Sequence, residues 1–413
     1  MARARLIAAL ILTYIAFAMM LNSVGTVILQ SISTFGVTKP QASTLEGFKD
    51  ITIAIVSFLI ASYLPKFGLR RSMLAAIAIA TLACILMPLL PGFDVTRLHF
   101  AMVGASFAVV KVVVYSMIGL VTADGRAHAS LTSMIEGMFM IGVLSSYWVF
   151  SAFIGAVSGP GETGWLNAYW VLAGICGTAF LLLLSAQVDE SAAHGDSAEG
   201  AHPISEMLRL VALPLVLIFV FCAFVFVLIE QGIGTWLPTF NNEVLHLPHQ
   251  MSVQAASLFA ASLAIGRFSA GAVMARIDWY PVLNVCLAIL VALILLVLPM
   301  AQGLPPKLIE SWADAPAAAF LFPLIGIVLA PIYPTIVSVM LSAMPKHRHA
   351  ALMGLVVVFS ALGGTTGSLV TGQIFTRLDG QTAFTLMLVP ITLLAAGLFF
   401  LKRSISAQPA YSG

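Results

Sequence analysis

The chain has 413 residues, of which 60% are hydrophobic and 9% charged, and its formal net charge is +2. A water-soluble domain carries about 25% charged residues, so this composition excludes an ordinary soluble enzyme and a disordered chain, and the near-neutral balance leaves no electrostatic footprint for DNA or RNA. The four cysteines, Cys84, Cys176, Cys222 and Cys286, lie far apart inside apolar runs. That spacing offers neither a disulfide framework nor a zinc set, and they read as small buried hydrophobes.

A membrane-spanning helix needs about 20 predominantly apolar residues. Runs of that kind occupy residues 6–33, 41–64, 72–91, 98–122, 130–155 and 165–187. After a polar stretch come 211–238, 251–275, 280–302, 315–343, 350–376 and 381–401. The pattern predicts an all-α integral membrane protein with twelve transmembrane helices. The first run follows Met-Ala-Arg-Ala-Arg, which mimics a secretory leader. It is too long for a leader's apolar core and no small-residue cleavage site follows, so it reads as a retained first helix. With the N-terminus inside, twelve of the 19 Lys and Arg residues fall on the cytoplasmic side and four outside. That bias predicts cytoplasmic termini in a bacterial-type plasma or inner membrane.

The stretch 188–206 is polar and holds Asp189, Glu190, His194, Asp196, Glu199, His202 and Glu206. It cannot bury enough apolar surface to fold and reads as a cytoplasmic linker. The expected organisation is a six-helix bundle over 1–187, the linker, a second six-helix bundle over 207–403, and a cytoplasmic tail over 404–413. His194 and His202 lack neighbouring ligands for a metal and read as solvated.

Two halves of six helices invite a search for repetition. The loop after the second span reads Ala61-Ser-Tyr-Leu-Pro65-Lys66-Phe-Gly68-Leu-Arg70-Arg71. The loop after the eighth reads Gly271-Ala-Val-Met-Ala275-Arg276-Ile-Asp278-Trp-Tyr-Pro281. Each places a base five residues after a small residue at a helix end. At these residues the chain resembles the major facilitator superfamily, whose loop between helices 2 and 3 reads Gly-x-x-x-Asp-Arg/Lys-x-Gly-x-Arg/Lys-Arg/Lys. Lys66, Gly68, Arg70 and Arg71 match. Ala61 stands for the first glycine and Pro65 for the acid through which the family makes a gating contact. The second copy retains Gly271 and Arg276. The resemblance covers essentially the whole chain. It implies two pseudo-symmetric six-helix bundles and gating roles for Lys66, Arg70 and Arg71.

A narrower set of segments is similar to the fucose:proton symporter branch of that superfamily. These are Glu230-Gln-Gly-Ile-Gly-Thr-Trp236-Leu-Pro238, Ile265-Gly266-Arg267-Phe268-Ser-Ala-Gly271, Pro331-Ile-Tyr333-Pro334 and Gly363-Gly364-Thr-Thr-Gly367. The likeness implies proton-coupled uptake of sugars or similar polar solutes. The branch keeps its proton-handling carboxylates in helices 1 and 4, whereas here span 1 has no acid and span 4 carries Lys111. The Gly-Pro signature of drug:proton antiporters is missing from span 5, which reads Gly142-Val-Leu-Ser145-Ser146-Tyr147, so export of drugs or metabolites is disfavoured.

An ionisable group deep in a span costs at least about 2.5–3.5 kcal/mol on insertion scales, so each such group is a functional candidate. Lys111 lies near mid-bilayer, and Gly104, Lys111, Tyr115 and Thr122 share one helix face. It is expected either to meet an anionic or hydroxylated substrate or to pair with Asp50 or Glu136. Arg267, toward the cytoplasmic side of span 8, suits a carboxylate or phosphate or a structural pair. Glu230 precedes Gly232 and Gly234 in span 7. Burial disfavours its charge, which suits a proton site or a sugar-hydroxyl acceptor; a salt bridge to Arg267 is the alternative. Glu136 reads as a gating group that pairs with Arg126 or Lys111. Glu46, Lys49 and Asp50 form an outer gate or a partly wet helix start.

Uncharged groups complete the expected pocket between spans 1, 4, 7 and 10. Asn22 shares a face with Tyr14, Ala18 and Gly25, and can both donate and accept. Trp236 stacks on a substrate ring or sits in an interfacial belt. Tyr333 lies between two prolines that kink span 10, which is tolerated beside a cavity. The expected substrate contacts are therefore Asn22, Lys111, Tyr115, Glu230, Trp236, Arg267 and Tyr333. Coupling and gating are expected of Asp50, Glu136, Glu230, Lys66, Arg70 and Arg71.

No nucleotide-binding or catalytic motif is present, so no enzyme activity, metal or cofactor is expected. The expected function is alternating-access secondary transport by a monomer. Protons drive uptake of a small polar solute such as a sugar, with the bilayer as the only other partner. An organic-anion carrier using Lys111 and Arg267 is the alternative. A non-transporting sensor or scaffold would need a sizeable soluble domain, which the short linker does not supply.

Overall fold

The computed structural model describes residues 2–60, 67–121, 125–155, 159–186, 207, 209–301, 309–345 and 348–406. All regular structure among them is helical. Eleven helices among the described residues are long and apolar enough to cross a bilayer. Of the remaining expected span, 41–64, residues Thr44–Ile60 form a 17-residue helix, and 61–64 lie outside the described residues. Lys66 and the expected linker also lie outside them. In lipid every backbone N–H and C=O must be satisfied within the segment, which is why long apolar runs become helices here and nothing else.

The chain forms two compact units, one comprising Met1–Val37 and Thr44–Glu199, the other Thr38–Ser43 and Gly200–Gly413. Unit 1 contains α1 (Ala2–Asn22), α2 (Val24–Phe35), α4 (Thr44–Ile60), α5 (Leu69–Leu89), α6 (Phe93–Val121), α7 (Gly125–Phe153) and α8 (Ala168–Ser185). Here α1 packs on α6, α7 and α8, and α6 packs on α4 and α5. Between helices in lipid the hydrophobic effect is weak, so small residues that let backbones approach supply the packing. Gly104 of α6 lies so close to α4 that an added Cβ would meet Lys49 O at 2.5 Å, and Gly142 of α7 lies as close to Ile15 O, at 2.6 Å.

Unit 2 contains α3 (Lys39–Ala42), α9 (Pro214–Gly234), α10 (Leu237–Glu243), α11 (His249–Met274), α12 (Trp279–Met300), α13 (Ala318–Leu321), α14 (Ile325–Leu329), α15 (Ile332–Ala343), α16 (His349–Arg377), α17 (Gly380–Thr385) and α18 (Leu388–Ser406). The same device recurs. Gly363 and Gly367 of α16 abut the carbonyls of Phe224 and Leu228 on α9, and Gly266 of α11 abuts Ile327 O on α14. Span 10 is interrupted between α14 and α15 at Ala330–Pro331, two residues that keep helical backbone angles. There the Thr335 hydroxyl donates to Pro331 O at 2.6 Å, so a side chain adds to the backbone bonding where the prolines disturb it.

The six residues Thr38–Ser43 belong to unit 2 although unit 1 flanks them in sequence. Their single turn is closed by a capping box between Thr38 and Gln41. Lys39 Nζ lies 2.7 Å from Glu243 Oε2 and 5.7 Å from the centre of the Phe375 ring. Ser43 packs under Gly372 of α16.

Two outcomes follow from this packing. Gly266→Leu should overpack the α11–α14 contact by about 1–3 kcal/mol and lower the melting temperature in detergent; an unchanged value would show that the contact is slack. Lys39→Met removes a partly exposed ion pair worth at most about 1 kcal/mol. Hydrogen exchange should quicken in residues 38–43 while the global unfolding midpoint stays put.

Candidate functional site

The ionisable groups inside the spans are arranged differently in the two units. In unit 1, Glu46, Lys49 and Asp50 occupy the first two turns of α4. The Lys49 ammonium hydrogen-bonds to Glu46 and lies 3.5 Å from Asp50 Oδ1. Glu46 is 0% and Lys49 5% exposed, so the expectation of a partly wet helix start is corrected: these two charges are buried, and Gly104 of α6 packs against the Lys49 backbone. Tyr147 of α7 stands close enough to feel both Glu46 and Lys49. Asp50 is thus engaged by its neighbour Lys49 and not by Lys111.

Glu136 of α7 accepts a 2.5 Å hydrogen bond from Tyr115 Oη of α6. The Tyr14 phenol of α1, itself buried, lies within hydrogen-bonding reach of Tyr115. Three helices therefore meet in a Tyr14–Tyr115–Glu136 series. The Tyr14 ring rests edge-on against Phe139, 5.7 Å between centroids, and Phe107 lies 6.1 Å from Phe139. Phe107, Lys111 and Tyr115 succeed one another at i+4 on α6, so Lys111 sits one turn from both an aromatic wall and the phenol pair. Lys111 is exposed and has no ion pair among the described residues. The expected partners Asp50 and Glu136 are both taken up elsewhere. The side chain of Arg126, the other expected partner of Glu136, lies outside the described residues.

Asn22 is half-buried, and its amide donates to Ala18 O at 2.8 Å, one turn back on its own helix. Arg70 Nε donates to Leu183 O at 3.3 Å and its Nη2 to Leu184 O at 2.6 Å. Both carbonyls lie in the last turn of α8, where positive charge also complements the helix dipole. Arg71 is exposed.

In unit 2, the Tyr333 ring of α15 stacks on Phe226 of α9 at 5.6 Å, and its hydroxyl lies 3.0 Å from Ser360 Oγ on α16. Half-buried Glu230 of α9 acts electrostatically on the same phenol. Arg267 is exposed on α11 beside the Gly266 contact. Trp236 is corrected from the list of substrate contacts. It is 0% exposed, its Nε1 donates to Ser368 O at 3.0 Å, and its ring lies against Gly372 and Phe375. Sequence reasoning missed Phe107, Phe139, Phe226 and Ser360. Of these, Phe107 and Phe139 were detectable about one turn from Lys111 and Glu136. Among the described residues no group of three or more His, Cys, Asp or Glu side chains is placed to hold a metal ion.

In each unit, polar groups from several helices converge within an apolar bundle. A model of the Major Facilitator Superfamily matches residues 9–368. Three solved structures share the fold over nearly their full length. A bacterial homologue of the human lysosomal transporter Spinster, inward-facing and occupied, is 15% identical, with 99% of each chain covered and a TM-score of 0.78. The nucleoside transporter NupG is 14% identical, with 97% of this chain and 99% of that one covered and a TM-score of 0.70. The E. coli fucose:proton symporter FucP, as a point mutant, is 15% identical, with 97% of this chain and 98% of that one covered and a TM-score of 0.61. No curated protein sequence matches. The chain belongs to the Major Facilitator Superfamily and is a multi-pass membrane transporter, not an enzyme.

Proposed function

We propose that the protein is a proton-coupled secondary transporter that takes up a small anionic solute of the carboxylate class. The observation that carries this is Lys111: an exposed cation in the middle of a span, one turn from Tyr115, without an ion pair among the described residues. An exposed lysine at that depth cannot face lipid without severe cost, so it lines a wetted path and meets its counter-charge there. A substrate carboxylate supplies that charge, and the Tyr14 and Tyr115 hydroxyls orient it. Glu136, held by Tyr115 at 2.5 Å, carries the accompanying proton, so anion and proton cross as a neutral pair. Glu230 beside Tyr333 offers a second carboxylate–phenol pairing for the same task. The site opens alternately to the two sides of the membrane, with both termini cytoplasmic by the excess of base on that side.

A second reading, uptake of a neutral polyhydroxylated solute such as a sugar, is favoured by the two phenols and the carboxylate beside Lys111, which suit hydroxyl groups. The two readings are separated in proteoliposomes. Under an inward proton gradient, small carboxylates should accumulate and sugars should not. Lys111→Gln removes a charge-assisted hydrogen bond of about 1.5–3 kcal/mol, an expected rise of about 10- to 100-fold in KM for the acid; full retention of acid uptake would discard the anion reading. Glu136→Gln should abolish uptake driven by the proton gradient yet leave counterflow exchange. If the gradient still drives uptake in that variant and fails in Glu230→Gln, coupling belongs to Glu230.

A further inference from the structure

Unit 2 holds an apolar groove of about 410 Å³ between α11, α12 and α14, ending at Pro331 where α14 gives way to α15. That volume is in the range of small-molecule sites, yet the walls carry almost nothing that could orient a polar ligand. Val273, Ile277, Val285 and Ile327 line it, and the one hydroxyl, Ser269, donates to Gly266 O at 3.1 Å on its own helix. Val273, Ile277 and Val285 are each more than 40% exposed. The body of any occupant is therefore hydrocarbon.

One end of the groove is different. Ile277 and Pro281 form its lip, and the residues next to them in sequence are charged and aromatic. Arg276 is exposed in the turn that closes α11. Lys402 of α18 places its ammonium 4.3 Å from the centre of the Tyr280 ring, and Arg403 beside it is exposed. The Trp279 and Tyr280 rings pack edge to face at 5.6 Å, a pairing typical of the headgroup level of a bilayer. Asp278 is the one acid in the same turn, so the cations outnumber it. An apolar cleft running away from a lip of bases and interfacial aromatics matches one chemistry.

We propose that the groove seats an acyl chain of an anionic phospholipid whose headgroup is held at the lip by Arg276 and Lys402. The purified full-length protein in nanodiscs of otherwise neutral lipid tests this. Trace phosphatidylglycerol or phosphatidylcholine, each with a photoactivatable group in the acyl chain, is irradiated and the crosslinked peptides are mapped by mass spectrometry. Phosphatidylglycerol should label the α11, α12 and α14 segments about 5-fold more than phosphatidylcholine for each cation engaged, corresponding to about 1 kcal/mol per base near a membrane surface. Arg276→Gln with Lys402→Gln should erase the preference, and Val285→Trp, which narrows the groove, should reduce labelling by both lipids. Equal labelling by the two lipids in the wild type, labelling confined to other helices, or a preference that survives loss of both cations would each overturn the proposal. Should a variant not remain monodisperse, competition of the wild-type crosslink by unlabelled phosphatidylglycerol against unlabelled phosphatidylcholine decides: equal competition refutes headgroup selection.

Discussion

A charge inside an apolar helix must be either paired or wetted, and that constraint organises this protein. The cost of breaking it, at least about 2.5–3.5 kcal/mol per group, is large against the net stability of a folded chain, about 5–15 kcal/mol. The chain meets the constraint in two ways. Glu46, Lys49 and Asp50 pair locally, with Glu46 and Lys49 buried. Glu136 is instead held by a phenol from a neighbouring helix, and Lys111 stays exposed next to it. The first solution builds a rigid helix pair. The second leaves charge available, as the proposed transport role of Lys111 and Glu136 requires.

Rigidity of the surrounding helices is what gives those exposed groups a defined place. Gly104, Gly142, Gly266, Gly363 and Gly367 each bring a helix backbone against a neighbouring carbonyl. At such separations there is no side chain left to repack, so paired helices behave as single bodies. Helix interruptions sit between such contacts, the Ala330–Pro331 one among them. It lies between the α14 contact to α11 and the Tyr333 stack on Phe226, so it joins a fixed packing surface to a candidate solute contact.

The helical layout is legible in the sequence because exclusion of water from a bilayer writes itself as run length. The interruption of span 10 is legible for a similar reason, since Pro331 and Pro334 act on their own backbone. What stays hidden is decided by partners distant in the chain. Trp236 near a helix end reads as an interfacial or stacking residue, and only Gly372 and Ser368, more than a hundred residues on, bury it. Arg70 reads as a gating cation, and its contacts to the main-chain carbonyls of Leu183 and Leu184 are ones that no side-chain pattern encodes. Lys111 stands out as anomalous from sequence alone. Its expected partners fail because Lys49, adjacent to Asp50, and Tyr115, one turn from Lys111 itself, reach the acids first.

The placement of Thr38–Ser43 has a mechanical side. α3 ends at Ala42 and α4 begins at Thr44, so a single residue, Ser43, joins an element of unit 2 to a helix of unit 1. On the other flank the chain turns at Gly36, whose φ of 65° is a left-handed conformation open chiefly to glycine. The two joints are unequal: one is a glycine with backbone freedom, the other a single residue between two helices. α3 is thus tied through one residue to the opening turns of α4, the turns that hold Glu46, Lys49 and Asp50.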